Sequence, residues 1–178
     1  MRIVSGTHKG RIIHVPKNLP VRPTTDFAKE SLFNILNNHF EFDGLKILDL
    51  FCGTGNMTYE FASRGCGDIT SVDNNYKCCE LVKKISGEFK MEQVKVIKSD
   101  AFAFLKKAAS PYHIIFCDPP YETENLELIS DLVFNNKLLK PQGWLIVEHG
   151  ERTDLSKLPH FTEHRNYGNV NFSIFVNE

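Results

Sequence analysis

The sequence predicts an α/β fold: a mostly parallel seven-stranded sheet with helices on both faces and an antiparallel hairpin at the C-terminal end. Three observations lead to it. From Leu45 onward, short apolar strands alternate with helical stretches, which is the pattern of βαβ units. An acidic residue closes or follows each of five strands in this region. Near the end of the chain, two segments rich in β-forming residues flank Gly168-Asn169, a dipeptide suited to a hairpin turn.

Length and hydropathy bound the organisation of the chain. Its 178 residues are enough to bury about 70% of the unfolded surface in one core. No apolar stretch approaches the roughly 18 residues that a membrane helix needs, and the N-terminus lacks the apolar region of a signal peptide. We therefore expect a single domain over residues 1–178, located in the cytoplasm.

The first helix is predicted from its start signal and its apolar spacing. Thr25 is a suitable N-cap, and Asp26 complements the helix dipole in the first turn. The helix is expected to end near Phe40. Its apolar stripe is predicted to consist of Phe27, Leu32, Ile35, Leu36 and Phe40.

The remaining elements follow from alternating apolar runs and helical periodicity. Helical segments are predicted at roughly 54–64, 75–86, 101–108 and 124–134. The parallel strands are predicted at Lys46–Phe51, Ile69–Val72, Val94–Ile97, His113–Cys117 and Trp144–Val147, and the hairpin strands at Thr162–Tyr167 and Val170–Val176.

Acidic residues stand at the ends of all five parallel strands. Because parallel strands end at the same edge of a sheet, these carboxylates are expected to gather where open α/β folds bind their ligands. Taken singly, each acid has an alternative interpretation as a helix cap. Together they predict a site formed by Asp49, Asp73, Asp100, Asp118 and Glu148.

The tetrapeptide Asp118-Pro119-Pro120-Tyr121 follows the fourth strand and predicts an amine-binding loop. Its two prolines fix φ and have no N–H groups, so the turn is stiff and the carbonyl of Pro119 stays outside the sheet ladder. The Asp118 carboxylate and this carbonyl are then able to accept both N–H bonds of an amine on an aromatic ring. Tyr121 offers a flat face on which that ring stacks.

An amine of this kind is a poor nucleophile, because its lone pair is delocalised into the ring. Holding both hydrogens aims the lone pair at an electrophile, which is catalysis by position and by electrostatics. We therefore predict catalytic roles for Asp118, Pro119, Pro120 and Tyr121. The alternative is a proline-rich turn after a buried strand, with Tyr121 as an aromatic residue at its rim.

The segment from Asp49 to Gly55 predicts a strand, a glycine turn and a helix, which lets backbone approach a ligand closely. It is not a complete dinucleotide fingerprint, because the third glycine would fall at Thr58. An acid just before the glycines suits a cationic ligand, and an acid 18 residues after Gly55, Asp73, is placed to bind ribose hydroxyls.

A nucleoside that carries a positive charge and an amino-acid tail satisfies these features, and S-adenosylmethionine is that molecule. Asp100 is predicted to accept from its adenine amine while Phe102 covers the ring. No histidine forms a pair with a cysteine or an acid at metal spacing, so no metal site is predicted. The predicted cofactor residues are Asp49, Phe51, Cys52, Gly53, Gly55, Asp73, Asn74, Asp100, Ala101 and Phe102.

Charge is divided unevenly along the chain. The net charge is −1, but residues 1–22 contain five cations and no acid, so this segment carries +5 and the remainder −6. A basic arm or hairpin of this kind is able to follow a phosphate backbone. The alternative is a solvated N-terminal hairpin without a partner. The predicted nucleic-acid-binding residues are Arg2, Lys9, Arg11 and Arg22.

The five cysteines are odd in number and show no C-x-x-C spacing. We expect them to be reduced and mostly buried. A nucleophilic role for Cys52 or Cys117 is the alternative. The usual cysteine attack on a pyrimidine ring carbon requires a differently built loop from the one at Asp118.

Seven segments of the chain resemble the bacterial 16S ribosomal RNA guanine-N2 methyltransferases. The resemblance implies a Rossmann-like class I fold that uses S-adenosylmethionine to methylate one guanine of the small-subunit RNA within a small-subunit particle. The segment Gly55 to Tyr59 departs from the small, apolar stretch of most members. The matching segments are Arg2 to Gly6, Lys9-Gly10-Arg11, Arg22 to Asp26, Leu48 to Gly55, Ser63-Arg64-Gly65, Asp118 to Tyr121 and Tyr167-Gly168.

Other functions remain as alternatives at this point. Adenine-N6 methyltransferases acting on DNA and protein glutamine methyltransferases use loops like the one at Asp118. A sequence-specific DNA enzyme usually needs a separate target-reading module, for which 178 residues leave little room. A non-catalytic RNA-binding assembly module is disfavoured, because it has no need of an amine clamp.

Overall fold

The computed structural model describes residues 1–21 and 24–178, over which the chain forms five helices and seven strands. The helices are α1 (Asp26–His39), α2 (Asn56–Ser63), α3 (Tyr76–Glu88), α4 (Ala101–Lys107) and α5 (Glu127–Asn135). The strands are β1 (Lys46–Leu50), β2 (Asp68–Asp73), β3 (Val94–Lys98), β4 (Tyr112–Cys117), β5 (Leu139–His149), β6 (Phe161–Tyr167) and β7 (Val170–Val176).

All seven strands form one sheet in the order β3-β2-β1-β4-β5-β7-β6. Strands β1 to β5 are parallel, and β7 runs antiparallel to both β5 and β6. The predicted fold class is confirmed. The strand order reverses between β1 and β4, which is the switch point where open α/β sheets bind ligands.

Helices cover both faces of the sheet and enclose two apolar cores. One core lies beneath α1, α2 and α3 and includes Phe33, Phe61 and Val82. The other lies beneath α4 and α5 and includes Leu105 and Ile129. Strands β1 and β4 are thus buried on both sides, which explains why they read as continuous apolar runs, whereas β3 at the edge of the sheet is largely exposed. Over residues 1–21 and 24–178, no helix is long and apolar enough to cross a membrane.

Two predictions about single elements are wrong in detail. Strand β5 begins at Leu139 and not at Trp144, because the chain continues through an irregularity at Pro141 to Gly143 that reads as a turn. The stripe of α1 is also misplaced. Phe27 is 65% exposed, and Lys29 is buried in its stead. The N-cap is as predicted, since the Thr25 hydroxyl accepts the amide of Ala28.

The N-terminal segment is a hairpin packed against α2. Arg2 and Ile12 form an antiparallel bridge, and the amide of Ile3 donates to the Arg11 carbonyl at 3.0 Å. The turn of the hairpin presses on the end of α2. At Gly6, φ is +86°, and an added Cβ would lie 1.9 Å from the carbonyl oxygen of Ser63, so only glycine fits.

A buried carboxylate fastens this hairpin to α2. The two oxygens of Glu60 accept the amides of Val4 and Ser5 at 2.9 and 3.0 Å. Arg64 Nε also donates to Glu60 at 3.0 Å, and Lys29 Nζ lies 3.3 Å from the other oxygen. Glu60 therefore has four donors and no exposed surface.

Lys29 completes the network from α1. Its ammonium group donates to the Arg2 carbonyl at 2.6 Å and to Asn56 Oδ1 at 2.8 Å. Burial lowers the pKa of Lys29, and the neighbouring Glu60 carboxylate opposes that shift. The hairpin, α1 and α2 are thus tied together by one ion pair whose side chains are 1% and 0% exposed.

We expect Lys29→Ala to lower the free energy of unfolding by about 3–5 kcal/mol, because the buried Glu60 keeps only Arg64 and loses the cation on its other oxygen. Urea denaturation measures the change. Lys83→Ala is the matched control, since its exposed ion pair with Glu80 is worth under about 1 kcal/mol. Equal losses in the two variants would contradict the role of the buried pair.

Candidate active site

The loop between β1 and α2 turns sharply through left-handed backbone. Phe51 has φ of 57°, Gly53 of 53° and Gly55 of 86°. An added Cβ at Gly55 would lie 2.6 Å from the ring of Tyr59, so this position requires glycine. The amide of Cys52 donates to the Val72 carbonyl at 3.0 Å, which holds the loop against β2.

Asp73 ends β2 and contacts the same loop. Its Oδ2 accepts the amide of Gly53 at 2.9 Å, and its Oδ1 accepts the amide of Asn75 at 2.8 Å. The carboxylate is half-buried, and Asn74 beside it is exposed. The structure therefore brings Asp73 and the glycine loop together, as the sequence predicts.

The residues after β3 complete this half of the edge. Phe102 meets Phe51 edge-on, with ring centroids 6.3 Å apart, and Ala101 is buried. Asp100 is exposed and caps α4, because its Oδ1 accepts the amide of Ala103 at 2.8 Å. The helix-cap interpretation of Asp100 thus describes at least part of its role.

Asp49 belongs to β1, and its side chain points toward α2 and is only 2% exposed. Its Oδ2 accepts the hydroxyl of Thr58 at 2.6 Å, and that hydroxyl also pairs with Ser71 at 2.6 Å. Burial raises the pKa of Asp49 to about 7, with a smaller contribution from the charge of Asp73. The acid is therefore a buried group whose charge the fold alone does not neutralise.

The Asp118 loop stands on the other side of β1. The amide of Asp118 donates to the Leu50 carbonyl at 3.3 Å, which places it directly beside the glycine loop. The amide of Thr123 donates to the Pro120 carbonyl at 2.9 Å and closes the turn. Pro119 is buried, whereas Pro120 is exposed.

Tyr121 presents its ring at the surface beside this turn. Its side chain is 61% exposed, and an added Cβ at Gly150 would lie 3.9 Å from the ring. The ring therefore stands next to the chain that leaves β5. An exposed aromatic face at this position is suited to stacking on a planar ligand.

Glu148 brings a further carboxylate to the site from β5. Cys117 and Val147 are register partners, so Asp118 and Glu148 are the next residues on adjacent parallel strands. Burial, with the charges of Glu148 and Asp49, raises the pKa of Asp118 well above its ordinary range. Burial also raises the pKa of Glu148 to about 7, although the hydrogen bond from the Thr24 hydroxyl opposes this rise.

These three acids, of which Asp49 and Glu148 are buried and Asp118 is half-buried, fit a cationic ligand. Among residues 1–21 and 24–178, no ion pair joins Asp49, Asp118 or Glu148 to a basic side chain. The hydroxyl of Tyr59, buried against Gly55, also has no hydrogen-bond partner in this part of the chain. S-adenosylmethionine, which carries a positive charge on its sulfonium centre, fits such a site.

The described residues contain no cluster of metal ligands, and two pockets lie away from the acids of this edge. No group of three or more His, Cys, Asp or Glu residues is arranged to hold a metal ion in this part of the chain. A pocket of about 310 Å³ lies beside the N-terminal part of β4 and is lined by Trp144, His39 and Phe40 among others. The ring centroid of Trp144 lies 4.7 Å from that of His39 and 5.4 Å from that of Phe40. A second, of about 390 Å³, lies between α3 and β3.

The predicted nucleic-acid-binding residues are spread over the hairpin. Arg2 Nε lies 3.5 Å from Asp26 at the start of α1, near the glycine loop. Arg11 stacks over the ring of Phe89 just after α3, 5.1 Å from its centroid, and Lys9 is exposed in the hairpin turn. Arg22 lies outside the described residues. The side chains of Arg2 and Arg11 therefore contact different parts of the fold, the start of α1 and the residue after α3.

The cysteines are as predicted: all five are free and buried. Burial raises the pKa of Cys52 and of Cys117 well above the ordinary value, with help from nearby acids. A thiol with a raised pKa is a weak nucleophile at neutral pH. His149 is 3% exposed and bonds the Ser173 hydroxyl at 2.8 Å, so it lies in the core and not on the surface.

Sequence reasoning missed the polar network behind the site. Lys29, Asn56 and Glu60 link α1, α2 and the hairpin, and none was singled out. A signal was present, because Lys29 falls at helical spacing with Ala28, Leu32 and other buried positions of α1. A charge on the apolar face of a helix indicates a buried partner.

The sheet order, the glycine loop at the switch point and the proline loop after β4 define the class I methyltransferase fold. The chain belongs to the family described as Conserved hypothetical protein 95, which matches residues 1–176.

Named relatives and solved structures agree with this assignment. The ribosomal RNA small subunit methyltransferase D of Escherichia coli (strain K12) is 30% identical over 159 residues, or 89% of this chain and 79% of that protein. The solved E. coli protein yhhF has a TM-score of 0.88 and 29% identity over 100% of this chain and 98% of that one. The predicted resemblance to ribosomal RNA methyltransferases is confirmed.

A more distant likeness concerns the fold alone. The solved SAM-dependent methyltransferase from Agrobacterium tumefaciens has a TM-score of 0.65 and 20% identity, covering 84% of this chain and 62% of that one.

The raised pKa of Asp49 predicts a pH-dependent stability. An acid whose pKa rises from 3.8 to about 7 on folding loses its favourable contribution as pH rises through 7. We therefore expect Asp49→Asn to have a higher free energy of unfolding than the wild type at pH 8, by up to about 4 kcal/mol. The difference should vanish near pH 4. Denaturation in the absence of ligand measures it. The exposed Asp131→Asn is the control, and a pH-independent difference would contradict the expectation.

Proposed function

We propose that this chain is a cytoplasmic enzyme that methylates the exocyclic N2 amine of a guanine in 16S ribosomal RNA, with a small-subunit particle as its substrate. The cofactor is S-adenosylmethionine, in line with the fold, the acidic site and the methyltransferase relatives. The observation that carries the proposal is the Asp118 loop, whose amide is bonded to the Leu50 carbonyl beside the glycine loop.

S-adenosylmethionine supplies an electrophilic methyl group on a sulfonium centre. Residues on the β1, β2 and β3 side of the switch point would hold it: Asp73 at the ribose, and Phe51 and Phe102 beside the adenine. The acid Asp49 would favour its positive charge, since no ion pair joins it to a basic side chain in the described structure.

The Asp118 loop orients the nucleophile. The Asp118 carboxylate and the Pro119 carbonyl accept the two N2 hydrogens, so the lone pair points away from the clamp. After N2 gains a methyl group, the nitrogen carries a positive charge and must lose a proton. Asp118 is placed to take that proton, and its raised pKa makes it a stronger base than an ordinary aspartate.

The target base must leave its stack to reach this clamp, at a cost of a few kcal/mol. The exposed ring of Tyr121 offers a surface on which the extruded guanine stacks. The base is more easily extruded from a loop or bulge than from a helix. The basic hairpin would hold the surrounding backbone, with Arg2 near the glycine loop and Lys9 and Arg11 farther along α2 and α3.

Asp118→Ala is expected to abolish methyl transfer while leaving cofactor binding largely intact, because it removes one acceptor of the amine clamp. Transfer from radiolabelled S-adenosylmethionine and calorimetry of cofactor binding measure the two properties. Asp131→Ala, an exposed acid on α5, is the control. A variant at position 118 that turns over near the wild-type rate would contradict the assignment.

The substrate is tested in the same assay. The protein is incubated with labelled cofactor and, separately, with small-subunit particles, naked RNA, DNA and protein, and the labelled product is identified. We expect N2-methylguanosine from small-subunit RNA. Labelled N6-methyladenine in DNA, methylglutamine in protein, or no product at all would each overturn the proposed function.

The hairpin makes a separate prediction about salt. Lys9→Ala and Arg11→Ala are each expected to weaken RNA binding and to reduce the slope of log affinity against log salt by about one, because each removes a phosphate contact. Fluorescence anisotropy between about 50 and 200 mM salt measures the slope. Lys157→Ala, an exposed cation between β5 and β6, is expected to leave it unchanged. Three equal slopes would contradict a role for the hairpin.

A further inference from the structure

Glu148 is a buried acid for which the proposed reaction has no task so far. It is 4% exposed and follows the register pair Cys117 and Val147, so it stands beside Asp118. Two residues later, Gly150 lies against the Tyr121 ring. Glu148 therefore lies on the segment of β5 that runs from Asp118 toward the Tyr121 ring.

The carboxylate is held in one orientation by Thr24, which lies just before α1. Its Oε2 accepts the hydroxyl of Thr24 at 2.7 Å, and this bond is buried. The Thr24 carbonyl in turn accepts Asn56 Nδ2 at 3.0 Å, and Asn56 Oδ1 accepts Lys29 Nζ. The Thr24 bond uses one oxygen and leaves Oε1 for a second donor. The ion pairs of the described residues include none with Glu148, so an ion pair there does not explain its burial.

The edge of guanine supplies such a donor. Its N1–H stands next to the N2 amine and points in nearly the same direction as one of the amine hydrogens. When the clamp takes the N2 hydrogens, the N1–H enters the pocket as well, and a buried N–H without an acceptor is unfavourable. A carboxylate beside the clamp is the acceptor that this edge requires.

We propose that Glu148 accepts the N1–H of the target guanine through Oε1 and selects guanine over adenine. The inference rests on the proposed function and adds the group that recognises the base. Adenine also carries an exocyclic amine, but its N1 is a hydrogen-bond acceptor. When Glu148 is ionised, that lone pair faces a carboxylate oxygen in this pocket, and two acceptors repel.

The test uses an RNA substrate in which the methylated guanosine is replaced by 2,6-diaminopurine riboside. This base keeps the amine at C2 but has a lone pair at N1. We expect the wild type to methylate it about tenfold to a hundredfold more slowly than guanine, the range for one mismatched base contact. Equal rates on the two bases would overturn the proposal without any variant.

Glu148→Gln then separates recognition from a structural role. The glutamine amide donates to the N1 of diaminopurine, so the ratio of the two rates should move toward diaminopurine by at least about tenfold. Glu151→Gln, an exposed acid just after β5, should leave the ratio as it is in the wild type. Calorimetry with S-adenosylmethionine checks that each variant is folded.

The outcomes are distinguishable. A Glu148→Gln variant that loses the same factor on both bases acts through Thr24 or through the cofactor, and this overturns the proposal while N2-methylguanosine still forms. If the wild type forms no N2-methylguanosine, the proposed function fails and the assignment of Glu148 fails with it. If Glu148→Gln does not fold, the wild-type ratio alone decides.

Discussion

The site depends on the position of β1 between β2 and β4. Parallel pairing on both sides makes the three strands end together, and the change of direction in strand order opens a gap above β1. The amide of Cys52 bonds to β2, and the amide of Asp118 bonds to the last residue of β1. Two loops from distant parts of the sequence are therefore fixed to the ends of adjacent strands.

The acids of this edge illustrate the conflict between stability and function. Burial raises the pKa values of Asp49, Asp118 and Glu148, so each charge costs free energy in the unliganded protein. The structure stabilises Glu60, which has no exposed surface, with four donors, two of which are cations. Glu60 is thus neutralised within the fold, whereas no ion pair of the described residues involves the three acids of the edge.

Much of this molecule was predictable from local patterns. The alternation of strands and helices, the Thr25 cap and the two glycines of the loop follow from rules that act over a few residues. The Asp118 loop was predictable for the same reason, since prolines limit backbone conformation. What escaped prediction is long-range: Lys29 meets Glu60 across 31 positions, and Thr24 meets Glu148 across 124. Propensity and periodicity carry no information about such pairs, and the stripe of α1 was misplaced because Lys29 is buried by its partner.

The surroundings of Trp144 have a practical consequence. It is the chain's only tryptophan. Its indole extends from β5 and packs against His39 and Phe40 at the end of α1. Glu148 lies four residues farther along the strand, at a distance of about 13 Å. Intrinsic fluorescence excited at the indole band will therefore report the undocking of α1 and global melting, and stay nearly silent when a nucleoside enters at the far end of the sheet. A spectroscopic signal for ligand occupancy has to be built in, for instance by placing a second indole where Tyr121 stands.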